Sequence, residues 1–286
     1  MSVVRKVPAW IVLQTLVALA SAGCGSRVAP ETLAAPPPPK LAAPRAVQDA
    51  TLERFLREHG VDGVLVLLDG NASEARCSHL DRCTRAYIPA STFKIPNSIV
   101  GLETGVIADA DFVIPWDHVQ RDIAAWNHDH TLRSAIRDSV VPYYQELARR
   151  VGPAVMQTWL DRLAYGNRQL GDVVDQFWLE GPLEVKPIEQ VDFLRRLVRA
   201  ELPIQARTRS ILLDILVRGE IEGRTFRGKT GWAHPGRHDE LGWFVGWTGD
   251  AERARYVAVL VFHPPAGVDM ASVRPAIAEA ALREGF

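Results

Sequence analysis

A chain of 286 residues, 47% hydrophobic and 23% charged, is ordinary for a soluble protein and long enough for one large globule or two lobes sharing a core. Its formal net charge of −1 argues against a strongly electrostatic partner such as nucleic acid or an anionic membrane surface. Small uncharged or mixed-charge ligands fit better.

Residues 1–23 read as an export signal: Arg5 and Lys6 precede the apolar run from Trp10 to Ala20, and small residues follow. Two cleavage readings stand. One cuts after Ala20-Ser21-Ala22. The other cuts before Cys24, where Ser21-Ala22-Gly23-Cys24 is similar to a bacterial lipoprotein box, with Ser21 where a larger aliphatic residue is usual. Either places the mature protein outside the cytoplasm, in the periplasm, and the second adds membrane attachment through a lipidated Cys24. The alternative for Cys24 is removal or an inert place near the terminus. Residues 24–48 carry Pro30, Pro36 to Pro39 and Pro44 among alanines, the composition of an extended tether.

The globular part is expected over 49–286. Leu52, Phe55 and Leu56 give helical spacing from Ala50 to His59, and Val61 to Leu68 reads as a strand closed by Asp69-Gly70-Asn71. Of the three cysteines, Cys77 and Cys83 enclose a short polar loop, a separation that suits a local disulfide in an oxidising compartment. Two buried reduced thiols are the other reading.

Ser91-Thr92-Phe93-Lys94 then sets a hydroxyl and an amine three positions apart at an expected helix start, so both project from one face. Serine is a poor nucleophile unless a neighbour takes its proton, and Lys94 can do so only if burial strips its charge. Pro96 falls in the first helical turn, where a missing N–H is tolerated, and the helix is expected to end near Leu102 to Gly105. From Asp122 to Leu163 the chain reads as successive helices, and a second helical block covers Ile188 to Arg199 and Ser210 to Leu216.

Beyond this the character changes. Arg224 to Lys229, Leu241 to Thr248 and Arg255 to His263 are rich in Val, Phe, Trp and Tyr and read as consecutive antiparallel strands, with Ala271 to Glu284 a closing helix. Strand signals at both ends with helices between predict an α/β (α+β) lobe from about 49–88 and 206–286, with a helical lobe from about 89–205 inserted.

Three further short motifs follow Ser91 in order. Ser139-Val140-Val141 offers a second hydroxyl. Tyr165-Gly166-Asn167 ends a helical stretch, either as a cap or as a turn presenting Tyr165 or Asn167 to a cleft. Lys229-Thr230-Gly231 ends or lies along a strand, offering an ammonium, a hydroxyl and, at Gly231, room for a ligand near the backbone. Among the eight histidines the close pairs, His128 with His130 and His234 with His238, lack metal-ligand company, so no metal is expected.

Together, and in this order, these motifs resemble the class D serine β-lactamases, the oxacillinases. The likeness extends through Trp116-Asp117, Trp126-Asn127, Tyr144 to Arg149, Phe177 to Gly181 and Gly242 to Trp247. Class A enzymes share Ser-x-x-Lys and Lys-Thr-Gly but carry Ser-Asp-Asn where this chain has Ser139-Val140-Val141.

The resemblance implies the serine β-lactamase and penicillin-binding-protein fold, an antiparallel sheet with terminal helices and an inserted helical lobe. It implies hydrolysis of the β-lactam amide of penicillin-type antibiotics through an acyl-enzyme on Ser91. Lys94 would be carboxylated by carbon dioxide, with no other cofactor, and would act as general base for acylation and deacylation. Carbon dioxide adds only to a neutral amine, so Val141, Phe93 and Leu179 are the apolar groups expected to desolvate Lys94, and Trp178 the donor that holds the carbamate. Ser139 would relay the proton to the ring nitrogen, and backbone N–H groups of Ser91 and Trp232 would form the oxyanion hole. Lys229 and Thr230 would orient the substrate, and Arg274 would hold its carboxylate. Two rivals acylate without rapid turnover, a penicillin-sensing receptor domain and a D,D-peptidase. Substrate spectrum and oligomeric state stay open.

Overall fold

The computed structural model describes residues 41–234, 238–251 and 253–284. The export signal, Cys24 and most of the tether lie outside these. Where the tether was expected to run through 48, Arg45–Gln48 already forms a strand (β1), because its backbone pairs in parallel with β3 (Glu74–Cys77).

A seven-stranded sheet organises the chain in the order β1-β3-β2-β9-β8-β7-β6, where β2 is Asp62–Asp69, β6 Val217–Ile221, β7 Arg224–Ala233, β8 Leu241–Thr248 and β9 Arg255–His263. All neighbours are antiparallel except β1 and β3. The expected antiparallel sheet is therefore present, and β1, β3 and β6 extend it at both edges. Those three are short, and β6 is largely exposed, so they lack the long apolar runs that mark β2, β8 and β9.

Alternation along the strands splits the core into two layers. Leu65 and Leu67 of β2, Phe244 of β8 and Val257, Val259 and Val261 of β9 face helices α1 (Ala50–Glu58) and α9 (Met270–Glu284). Val64, Val66 and Leu68, with Trp243, Val245 and Trp247 and with Ala258 and Leu260, face the larger helical layer. That layer holds α2 (Leu80–Cys83), α3 (Lys94–Glu103), α4 (Leu132–Arg137), α5 (Val141–Val151), α6 (Pro153–Leu163), α7 (Pro187–Val198) and α8 (Ala206–Ile215). Helix α7, expected in the inserted lobe, packs on β2, β8 and β9 and so joins the two.

Two expectations need correction. Helices do not begin at Asp122: residues 122–131 form a loop with a short turn at Ala124–Trp126 and a strand, β5 (His130–Thr131), paired with β4 (Val113–Ile114). The helical stretch starts at Leu132, where the Thr131 side chain caps the Ser134 N–H and Ser134 returns the bond. The expected disulfide is also absent. Cys77 and Cys83 are buried free thiols, and burial next to Cys77 pushes the Cys83 thiol far above its ordinary range. A sulfur kept protonated by apolar surroundings packs as a small apolar group.

Candidate active site

Ser91 lies in a 3₁₀ turn, Ala90–Phe93, that runs directly into α3. The residue before it, Ala90, has φ of 48°, a left-handed conformation that non-glycine residues rarely adopt. Three positions on, Lys94 is fully buried, and its Nζ donates to Ser91 Oγ at 2.6 Å. Desolvation alone brings the Lys94 amine down to about 7, so the neutral form that can accept a proton is accessible near neutral pH. The Tyr144 ring of α5 lies 5.4 Å from Nζ, and its hydroxyl is 2.9 Å from Ser98 Oγ, which itself donates to Lys94 O.

An aromatic cluster starts at Phe93, next to Lys94 in the chain. Phe93 stacks on Trp178 with ring centroids 5.5 Å apart and meets Phe177 edge-on at 5.0 Å. Trp178 is fully buried, yet its Nε1 finds no hydrogen-bond partner among the described residues. An indole N–H seldom stays buried without an acceptor, so this donor marks a place for one. Val141 and Leu179 line, with Ser91, a cavity of about 290 Å³. Of the four residues expected around Lys94, Val141 and Leu179 line the Ser91 cavity, and Phe93 and Trp178 stack on each other.

Strand β7 forms the opposite wall. Lys229 is also buried, and its Nζ donates to Ser139 Oγ at 2.9 Å, to Thr230 O at 3.0 Å and to Thr230 Oγ1 at 3.3 Å. Burial, and then the positive charges of Lys94, Arg218 and Arg274, hold this amine well below its ordinary range. Ser139 has φ of 56° just before α5, and this tight entry sets its hydroxyl beside the lysine. The strand comes close to the Ser91 turn because of Gly231. A Cβ there would lie 3.0 Å from Pro89 O and 3.1 Å from Thr92 Cγ2, so a side chain would lever the two walls apart.

Arg274 reaches the site from α9. Its guanidinium donates to Gly231 O, lies 5.3 Å from the Trp232 ring, and is brought down to about 10 by burial. Here a second glycine matters: a Cβ on Gly242 would collide with Met270 and come within 2.5 Å of Arg274 Cδ, so only glycine lets α9 settle this close to β8. Trp232 is 41% exposed at the rim, with Nε1 donating to Glu240 Oε1 at 2.6 Å. Thr230, Gly231, Trp232 and Arg274 all line the Ser91 cavity.

Tyr165 and Asn167, expected at the cleft, are elsewhere. Tyr165 is buried, packs edge-on against Phe193 and donates to Gln190 Oε1 at 3.2 Å; Gln190 in turn donates to Thr92 Oγ1 at 2.8 Å. Asn167 braces its own loop, donating to Pro182 O at 2.9 Å and accepting from the Glu184 and Gln169 N–H groups. Tyr165 supports the Ser91 turn from behind, and Asn167 fixes the segment after Trp178. Sequence reading missed Ile123, Trp126 and Asp138, which line the cavity, and Tyr144 beneath Lys94. Trp126 and Tyr144 lay in stretches that carried the family likeness, but nothing in their spacing placed them beside Ser91.

A hydroxyl nucleophile, a buried amine beside it and a second amine holding a second hydroxyl make an acyl-transfer site. Comparison with known proteins agrees. Residues 66–283 match the penicillin binding protein transpeptidase domain. The chain is 37% identical over 227 residues to β-lactamase OXA-48 of Klebsiella pneumoniae, covering 79% of this chain and 84% of that one. It is 40% identical over 189 residues to β-lactamase OXA-10 of Pseudomonas aeruginosa, covering 65% and 71%. Among solved structures, the class D β-lactamase YbXI from Nostoc superposes with a TM-score of 0.75 at 37% identity, over 81% of this chain and 96% of that one. FUS-1 (OXA-85) from Fusobacterium nucleatum gives 0.77 at 31% identity, over 83% and 98%. The chain belongs to the class D β-lactamases.

Proposed function

We propose that this β-lactamase hydrolyses penicillin-type β-lactams through an ester on Ser91, with an N-carboxylated Lys94 side chain as general base in both halves of the reaction. One observation carries the reading: Lys94, buried and 2.6 Å from Ser91 Oγ, follows Phe93 in the chain, and Phe93 stacks on Trp178, whose buried indole N–H has no acceptor among the described residues. Carbon dioxide needs a neutral amine, which Lys94 supplies, and a carbamate would supply both a proton acceptor and the acceptor that Trp178 Nε1 lacks.

The protein's own groups then have distinct tasks. Ser91 Oγ adds to the lactam carbonyl carbon as its proton passes to the Lys94 side chain. The ring C–N bond breaks, and Ser139 Oγ, held by Lys229 at 2.9 Å, passes a proton to the departing nitrogen and is reprotonated by the proton that the Lys94 side chain took from Ser91. Backbone N–H groups of Ser91 and Trp232 would face the developing oxyanion. Arg274 and Thr230 would bind the substrate carboxylate at the cavity rim. Water then adds to the ester carbon, losing a proton to the Lys94 side chain, which returns it to Ser91 Oγ as the ester C–O bond breaks, leaving the ring-opened acid and free Ser91.

Export to the periplasm and anchoring through lipid on Cys24 belong to the same reading and rest on residues 1–24. Intact mass of the membrane-extracted protein tests them: a diacylglyceryl increment lost in Cys24→Ala supports anchoring, and cleavage after Ala22 refutes it.

Incubation with a chromogenic β-lactam, followed by intact mass, tests the activity. Many turnovers per protein support hydrolysis. A stable adduct of one acyl group per chain would instead identify a sensor or peptidase.

A further inference from the structure

A second cavity, of about 400 Å³, opens at the other end of β7, and none of its lining residues is shared with the Ser91 cavity. Three arginines border it: Arg209 of α8, and Arg224 and Arg227 of β7. Among the described residues, none of the three is in ion-pair contact with a carboxylate. Two of them are held by backbone carbonyls. Arg209 donates from Nε to Leu197 O at 3.0 Å and from a terminal nitrogen to Val198 O, and Arg227 donates from Nε to Leu213 O at 2.6 Å. The Arg227 guanidinium also lies 5.9 Å from the centre of the Trp247 ring.

These bonds fix the guanidinium planes while leaving both terminal nitrogens of Arg227 and one of Arg209 without an acceptor among the described residues. Among the described residues, the opposing charge in the lining is one carboxylate, Asp250, which accepts from the Arg253 N–H at 3.2 Å. Asp214 acts on Arg227 from farther away, but its carboxylate pairs with Arg133 at 2.7 Å. Partial burial lowers the proton affinity of both Arg209 and Arg227, the signature of cations taken from water without full compensation.

The volume is larger than an inorganic oxyanion fills, and Val198, Leu213, Trp247 and Ala251 give part of the lining an apolar character. We propose that this cavity binds a small organic anion, an oxyanion group carried on an apolar body, with the charged group held by Arg209, Arg224 and Arg227 and the body against Trp247 and Leu213. Planar guanidiniums suit carboxylate and phosphate oxygens alike, so the two groups are separated by experiment. The proposal is independent of the chemistry at Ser91.

The test is titration of the wild-type protein with benzoate, phenyl phosphate and, as a neutral control, benzyl alcohol, at matched ionic strength. Binding is read by thermal shift and by calorimetry. Saturable binding of the anions, absent for benzyl alcohol, is expected, and whichever anion binds more tightly identifies the preferred group. Arg224→Ala, at an exposed position, and Arg227→Gln should each weaken binding on the order of tenfold. Asp250→Asn should tighten it, and β-lactam turnover should stay at the wild-type level in all three. No saturable binding of either anion, equal binding of benzyl alcohol, or unchanged affinity in Arg224→Ala and Arg227→Gln would overturn the proposal.

Discussion

Lys94 and Lys229 are both buried, both hold their amine below its ordinary range, and lie near enough for the charge of Lys94 to act on Lys229, yet their surroundings differ in kind. Lys94 has the Tyr144 ring beside it and, among the described residues, one hydrogen bond from its amine, to Ser91 Oγ, and desolvation alone accounts for its shift. Lys229 has three acceptors, and neighbouring positive charges add to its burial. Burial therefore does not by itself assign a role. A desolvated amine with a hydroxyl beside it and no other hydrogen-bond partner among the described residues is suited to take a proton. One fixed among oxygens is built to hold a second hydroxyl in place and supply charge.

Replacing each lysine is the strongest way to break this contrast. Lys94→Ala should lower turnover by about 10³-fold or more, with β-lactam still binding, because the proton acceptor for both half-reactions is gone. Lys229→Ala should slow acylation by about 10²-fold while leaving an acidic limb set by Lys94, since it removes the group that orients Ser139 and not the base. Steady-state and single-turnover kinetics with a chromogenic β-lactam separate the two. Equal loss in both variants, with the same pH profile, would erase the distinction.

Trp178→Phe sharpens it further. It keeps the aromatic body against Phe93 but removes the N–H that lacks an acceptor among the described residues, so turnover should fall by about 10²-fold at ambient carbon dioxide and recover partly with added bicarbonate. Lys229→Ala should show no such recovery. A Trp178→Phe enzyme with unchanged activity and bicarbonate response would remove Trp178 from the account.

Stability gives a smaller effect of opposite sign. The folded-state value of Lys94, about 7, lies below its ordinary value of 10.5, so between these the unfolded chain binds more protons and stability rises with pH. Below about 7 the penalty for burying the amine is present in full. Lys94→Met, which fills the pocket without a charge to desolvate, should therefore raise Tm at pH 6 by a few degrees, with the gain shrinking toward pH 10. Lys229→Met should gain less, because Ser139 and Thr230 lose their donor. Thermal denaturation across that range checks both, and a Lys94→Met variant less stable than wild type at pH 6 would contradict the sign.

The sequence made the two lysines, their hydroxyl neighbours and the long strands legible, because motif spacing and alternating apolar runs are local signals. Ser91 with Lys94 stands on one turn, and Lys229 with Gly231 on one strand, so each pair is set by backbone geometry. What was not legible depends on contacts far apart in the chain. Tyr165 looked like a cleft residue because its helix ends there, but Gln190 draws its hydroxyl inward. Cys77 and Cys83 had a spacing fit for a bridge, yet they are buried free thiols. The closeness of α9, which brings Arg274 to Gly231, rests on the bare backbone of Gly242, and a glycine in a strand does not announce what approaches it.

The central claim is that Lys94 carries carbon dioxide as its working base. Equilibrating the enzyme with ¹³C-bicarbonate at pH 8 and recording its ¹³C NMR spectrum tests this most directly. A single carbamate resonance is expected that is absent in Lys94→Ala, weakened in Trp178→Phe, retained in Lys229→Ala and lost reversibly as the pH falls below about 7. A fully active enzyme without that resonance, or a resonance that survives in Lys94→Ala, would contradict the account.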